Sequence, residues 1–230
     1  MRLTGRASLL PAAALFVCAG LVVGAAAGWQ WWSRVHQIAV NQAALARRLD
    51  AAWTATGATP AGAGTTTGTT TGAARLAPAA ADGAPVARLR LPRLRLTLVV
   101  VEGVADPDLL RGPGHVPGTA RLGEPGNAGV AGHRYPGVFW DLDRLRAGDA
   151  VVVETAERWF VYRVFRSFVV GPADTTVLDA RPAGAPPGTD RFLTLVTCEP
   201  KLTTARRLIR QAALVRVLPR AGGPPAELDG

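Results

Sequence analysis

Cysteine is nearly missing from this chain. Only Cys18 and Cys198 occur in 230 residues. Cys18 lies inside an apolar run from which it can hardly reach Cys198, so no disulfide framework holds the fold and Cys198 is a free thiol that needs its own explanation. Cys and His nowhere recur at metal-ligand spacing, and acidic residues near a strand-end loop are too few for a calcium cage, so neither metal nor cofactor is expected. The formal net charge of +9 comes almost wholly from arginine, which leaves nucleic acid, anionic lipid or an acidic wall polymer as formal partners. Few aromatics stand beside those arginines, which argues against a nucleic-acid platform. Arg88, Arg90, Arg93 and Arg95 alternate with apolar residues and read as the solvent face of strands.

Charge is absent from Ser8 to Gly28. About 20 residues of this kind cross a ~30 Å hydrocarbon core, so residues 1–32 read as a membrane anchor, single-pass, with Trp29, Trp31 and Trp32 at the headgroup level. A signal peptide cut after Ala25-Ala26-Ala27, with Arg2 and Arg6 as its basic flank, is the rival reading. Positive charge does not settle orientation, because Arg2 and Arg6 compete with Arg34, Arg47 and Arg48. Apolar residues at three- and four-residue spacing make 33–53 a helical stalk whose role is spacing. Large apolar side chains then disappear over residues 54–84, which reads as a flexible Ala/Gly/Thr linker open to glycosylation.

After Pro85 short β-type runs appear at 86–91, 94–102, 126–132, 150–155, 158–170, 190–197 and 211–218, separated by Gly, Pro and Asp turn signals. Many short strands with few helical patterns predict an all-β domain over 85–220, closed into an antiparallel barrel so that no edge stays exposed. Short helices are expected at Asp106–Arg111 and Val138–Leu145, and a disordered tail over 221–230.

The sharpest local feature is Thr194-Leu-Val-Thr-Cys198-Glu-Pro200, an apolar strand that carries a single cysteine to its end, just before a proline stops the pairing. A buried, inert core thiol has the same composition. Two companions favour a nucleophile. His133 ends the glycine-rich stretch Gly126–Arg134, and Arg207 opens the strand after the Cys198 turn, where antiparallel pairing makes the two neighbours. Thiol, imidazole and fixed cation form an acyl-transfer set of nucleophile, proton carrier and oxyanion donor. His115 and His36 read as structural or idle.

These residues resemble the sortases, and within them the class E housekeeping sortases of actinobacteria, over roughly residues 85–218. The match lies in Thr194-Leu-Val-Thr-Cys198, Ala131-Gly-His-Arg134, Arg207, Gly112-Pro-Gly-His-Val-Pro-Gly-Thr119 and Gly123-Glu-Pro-Gly-Asn127, in that family's order. The resemblance implies an eight-stranded barrel facing outward from the cell membrane behind its anchor and linker. It also implies a transpeptidase that cleaves the Thr–Gly bond of an LPxTG- or LAxTG-type sorting signal through a thioester and joins the surface protein to a cell-wall or peptidoglycan amine. Cys198 would be the nucleophile, His133 the proton carrier, Arg207 the oxyanion and backbone donor, and Thr197 a substrate-binding residue. A hydrolase using the same residues and a non-catalytic displayed barrel remain open. Glu199 departs from the family pattern by setting a negative charge directly after the nucleophile.

Overall fold

The run Leu96-Thr-Leu-Val-Val-Val-Glu102 is apolar on both faces of a strand, which a one-sided sheet does not require. The computed structural model, which describes residues 9–55 and 80–228, supplies the reason. Leu98 and Val100 point into a closed barrel, while Val99 and Val101 point out beneath a long helix that covers them.

That helix, α1 (Leu9–Ala55), runs unbroken for 47 residues, about 70 Å at 1.5 Å per residue. Its first half is apolar and exposed all round, as at Leu15, Phe16, Leu21 and Val22, and is long and apolar enough to cross a membrane. Its second half is one-sided. Leu45, Leu49 and Trp53 are buried against Val99 and Val101, and Ile38 joins the barrel's main apolar cluster. The expected stalk is therefore a docked element rather than a spacer. Gln42 fixes its register, because its amide donates to the Val99 carbonyl (3.1 Å) and the Arg111 carbonyl (2.8 Å) and accepts from the Val99 N–H (2.7 Å). The basic flank at Arg2 and Arg6 and most of the expected linker, residues 56–79, lie outside the described residues.

The barrel comprises β1 (Pro85–Leu91), β2 (Leu96–Glu102), β3 (Gly114–His115), β4 (Gly126–Ala131), β5 (Ala150–Glu154), β6 (Arg158–Val170), β7 (Arg191–Glu199) and β8 (Arg206–Pro219), closed in the order β1-β2-β3-β4-β7-β8-β6-β5. Six of its pairings are antiparallel. Two are parallel, β2 with β3 and β4 with β7, so the barrel is mixed where an antiparallel one was expected. Strand β3 has two residues and no β-type run of its own, which hid it in the sequence.

A short helix α2 (Asp106–Leu109) forms where expected, but 138–145 yields only a 3₁₀ turn at Leu142–Arg144. Arg88 and Arg90 are not on a solvent face. Both pair with the buried Glu154, at 3.2 and 2.8 Å, and Arg88 also reaches Asp50 of α1. Arg93 lies within, and Arg95 directly follows, a 3₁₀ turn (Pro92–Leu94) between β1 and β2 instead of alternating along a strand. The expected disordered tail is ordered through Leu228, because Glu227 pairs with Arg163 and Arg216 and Leu228 packs beside Trp159; residues 229–230 lie outside the described residues.

Candidate active site

Strand β7 alternates strictly. Leu193 and Leu195 enter the barrel core, so Thr197 points inward too, and Thr194, Val196 and Cys198 share the outer face. Cys198 is half-buried at the strand end, a free thiol. On one side it faces Arg207 of β8, its direct cross-strand partner, and cross-strand partners carry their side chains on the same face about 5 Å apart. On the other side β4 runs parallel to β7 up to Ala131↔Val196, so the segment that carries His133, two residues on, leaves the sheet beside the end of β7 that carries Cys198. Two bonds hold that junction: the Gly132 N–H donates to the Val196 carbonyl (3.0 Å) and the Thr197 hydroxyl donates to the Gly132 carbonyl (2.7 Å).

Thr197 is only 2% exposed and its hydroxyl is used inside the protein. In the chain itself Thr197 ties the segment that leads to His133 to the strand that carries Cys198. Gly132 is needed because a Cβ there would lie 2.8 Å from Phe139 Cδ2. The Phe139 N–H in turn donates to the His133 carbonyl at 3.3 Å. His133 stacks obliquely on Tyr135, with ring centroids 4.9 Å apart. Its basicity is lowered from the ordinary imidazole value, first by burial and secondarily by Arg34, while Asp106 opposes the shift.

Arg207 uses one guanidinium nitrogen, Nη1, on the carbonyls of Thr204 (2.9 Å) and Arg206 (3.1 Å). That leaves the rest of the fork available to a ligand.

Arg134 is a residue to which sequence reasoning gave no role. It is 4% exposed, and its guanidinium donates to four acceptors: the Trp140 carbonyl (2.9 Å), the Cys198 carbonyl (3.1 Å), Glu199 (2.6 Å) and Asp143 (2.9 Å). The negative charge of Glu199 beside Cys198 is thus paired, and the backbone of Cys198 is held by the residue that follows His133. The signal was its place in the Ala131–Arg134 segment, but its partners come from two separate parts of the chain, 140–143 and 198–199.

The loop between β6 and β7 closes over the far end of the outer face. The Val177 carbonyl in its 3₁₀ turn accepts from Asn127 (3.2 Å), Thr194 (3.3 Å) and Gln211 (3.1 Å), and Asn127 also donates to the Asp179 carbonyl at 3.0 Å. His115 is buried; its Nε2 donates to the Ala120 carbonyl (2.8 Å) and its Nδ1 meets Glu102 (3.0 Å), so it pins the loop before β4 as a structural residue. His36 stacks on Trp32 of α1, with centroids 5.2 Å apart.

Beside His133 opens a cleft of about 520 Å³. Ser33, Arg34 and Gln37 of α1 wall one side, Asp106 and Leu110 the other, with His133 and Tyr135 between them. Trp31 packs edge-on against Tyr135 and Trp140, at 5.4 and 6.0 Å.

The Sortase domain family model matches residues 89–215. Sortase SrtE1 of Streptomyces coelicolor is 33% identical over 158 residues, 64% of this chain and 45% of its own length, so the chain spans less than half of that curated relative. Among solved structures, the SrtF sortase from Corynebacterium diphtheriae superposes with a TM-score of 0.61 at 31% identity, covering 68% of this chain and 97% of that one. Sortase E from Streptomyces avermitilis gives 0.59 at 38% identity, covering 65% and 99%.

Proposed function

The chain belongs to the sortase family, and from that premise we propose that it is a membrane-anchored cysteine transpeptidase that cuts a sorting signal of the LPxTG or LAxTG type and joins the surface protein bearing it to an envelope amine. The observation that carries the reading is the convergence of three strand ends. Cys198 and Arg207 are cross-strand partners, and Gly132, the residue before His133, is hydrogen-bonded to the Cys198 strand.

In this reading the Cys198 thiolate attacks the Thr carbonyl carbon, and the tetrahedral oxyanion accepts hydrogen bonds from Arg207. The C–N bond then breaks, and His133 gives its proton to the departing Gly nitrogen, leaving a thioester. An amine reverses the sequence. It loses a proton to His133, attacks the thioester and returns the Cys198 thiolate. The apolar half of α1 anchors the enzyme in the cell membrane with the barrel on the outer side, where sorting signals and wall amines meet.

The test uses the full chain in detergent with LAxTG and LPxTG peptides and a glycine-ended amine, followed by mass spectrometry of protein and products. An acyl adduct on Cys198 and an amine-capped peptide are expected, and both vanish in Cys198→Ala. Arg207→Lys is nearly as damaging, because an ammonium cannot reproduce the guanidinium fork. Cleavage by water with no amine capture would make the protein a hydrolase. A thiol inert toward peptide and toward methanethiosulfonate reagents would leave a displayed, non-catalytic barrel.

A further inference from the structure

One wall of the cleft beside His133 belongs to α1, the element that the sequence marks as a spacer. Its position there is built in. Asn41 donates to the Leu110 carbonyl at 3.1 Å, Gln42 makes three bonds to the β2 edge and to Arg111, and Gly112 leaves room for the Gln42 amide, which a Cβ would meet at 2.0 Å. Arg34 and Gln37 therefore stand at fixed places across from Asp106 of α2. Among the described residues neither Arg34 nor Asp106 enters an ion pair within the protein, although both lie close enough to His133 to act on it with opposite sign. A guanidinium and a carboxylate, neither in an ion pair among the described residues, thus line one cleft of about 520 Å³ together with His133, a volume within the range of ligand clefts.

We propose that this cleft seats the acceptor amine, and that it selects an amine bearing a nearby carboxylate, an amino-acid-type zwitterion, with Asp106 drawing the ammonium toward His133 and Arg34 pairing with the carboxylate. The inference rests on the transpeptidase reading and specifies its second half-reaction. The ammonium leaves one proton to solvent as it enters. The free amine nitrogen attacks the thioester carbonyl carbon, its surplus proton passes to His133, the C–S bond breaks, and Cys198 is returned as thiolate beside the imidazolium. Asp106 raises the local concentration of the cation. Arg34 supplies a bidentate partner that a carboxylate fits and a carboxamide does not.

The experiment offers glycine and glycinamide as acceptors to the full chain in detergent, acylated by a sorting-signal peptide. KM for each amine is taken in the parent, Arg34→Ala, Arg34→Glu and Asp106→Asn. The glycine-to-glycinamide ratio, compared between parent and variant, cancels the different basicities of the two amines. Arg34→Ala is expected to raise KM for glycine about tenfold while glycinamide changes less than about twofold, the loss of one bidentate charged pair. Arg34→Glu reverses the preference, and Asp106→Asn weakens both amines together. Equal effects of Arg34→Ala on the two amines, or none on either, overturn the cleft assignment and leave the transpeptidase intact. Absence of any thioester on the parent protein, read before amine is added, brings down the parent reading and this inference with it.

Discussion

Replacing Arg134 by Met keeps most of the buried aliphatic stem and removes the fork that holds the Cys198 carbonyl, the Trp140 carbonyl, Glu199 and Asp143. A hydrogen bond involving a charged group contributes roughly 1.5–3 kcal/mol, and stripping one partner from a buried ion pair costs about 3–5 kcal/mol. The carboxylates of Glu199 and Asp143 are 30% and 46% exposed, so water recovers much of their solvation and the total falls to about 3 kcal/mol. For a domain of this size that lowers Tm by roughly 10 °C. Activity should fall further than stability explains. The nucleophile's own carbonyl loses its donor, and misplacing a reacting group by about 1 Å costs on the order of a hundredfold in rate. Arg134→Lys should recover part of the stability, since one ammonium holds a carboxylate, but little of the rate. Melting followed by circular dichroism, together with quenched mass spectrometry of acyl-enzyme formation on the full chain, reads both effects. A Met variant that melts within about 2 °C of the parent and acylates at its rate would show that the four-acceptor clamp does not hold the nucleophile.

Asn127→Ala frees the Asp179 carbonyl and removes one of the three donors to the Val177 carbonyl at a cost of about 2 kcal/mol, and KM for the signal peptide should rise as the 171–190 loop loses part of its anchor, which steady-state kinetics will report. Leu49→Ala, at a position 2% exposed between α1 and β2, should cost about 2–4 kcal/mol, with hydrogen exchange rising over residues 38–53 and leaving β7 and β8 protected. Burial lowers the basicity of His133, so between its folded and unfolded pKa values the unfolded chain binds the extra proton. The His133 contribution to stability is therefore complete above about pH 6.5 and declines as pH falls below it; His133→Gln should flatten that slope in denaturant melts at a series of pH values. Because Asp106 raises and Arg34 lowers the basicity of His133, Asp106→Asn and Arg34→Ala should move its NMR titration midpoint in opposite directions, down and up respectively.

Local alternation carried much of what sequence reading could reach. Thr194–Cys198 shows its strand and its end, β5 and β6 announce themselves by runs of Val, Phe and Tyr, and the pairing of Cys198 with Arg207 follows from one tight antiparallel connection. What escaped depends on contacts distant in sequence. The Val99–Val101 face demanded a cover, but nothing local said that residues 38–53 supply it. The parallel pairing of β4 with β7, which brings the segment leading to His133 alongside the strand of Cys198, joins segments more than sixty residues apart. Thr197 is next to Cys198 in sequence, and its bond to the Gly132 carbonyl, made from the inward face of the strand, is not legible there. Arg134 and Asn127 act through backbone carbonyls, which leave no trace in side-chain pattern.

In the anchored reading, the continuity of α1 sets the height at which the barrel stands. About nine residues separate the end of its apolar stretch from Gln37, roughly 14 Å along a helix axis, and Trp31 touches the loop that carries Tyr135 and Trp140. The segment between Ala55 and Asp82 joins two points on the same body, since Trp53 is buried against the barrel at one side and β1 begins at the other. In the anchored reading it is therefore α1, and not the length of that segment, that determines how far the barrel stands from the bilayer. A loosely tethered domain samples a hemisphere; in the anchored transpeptidase reading proposed above, a barrel held this way would sweep a thin layer, and both proposed substrates would meet it by lateral diffusion within that layer.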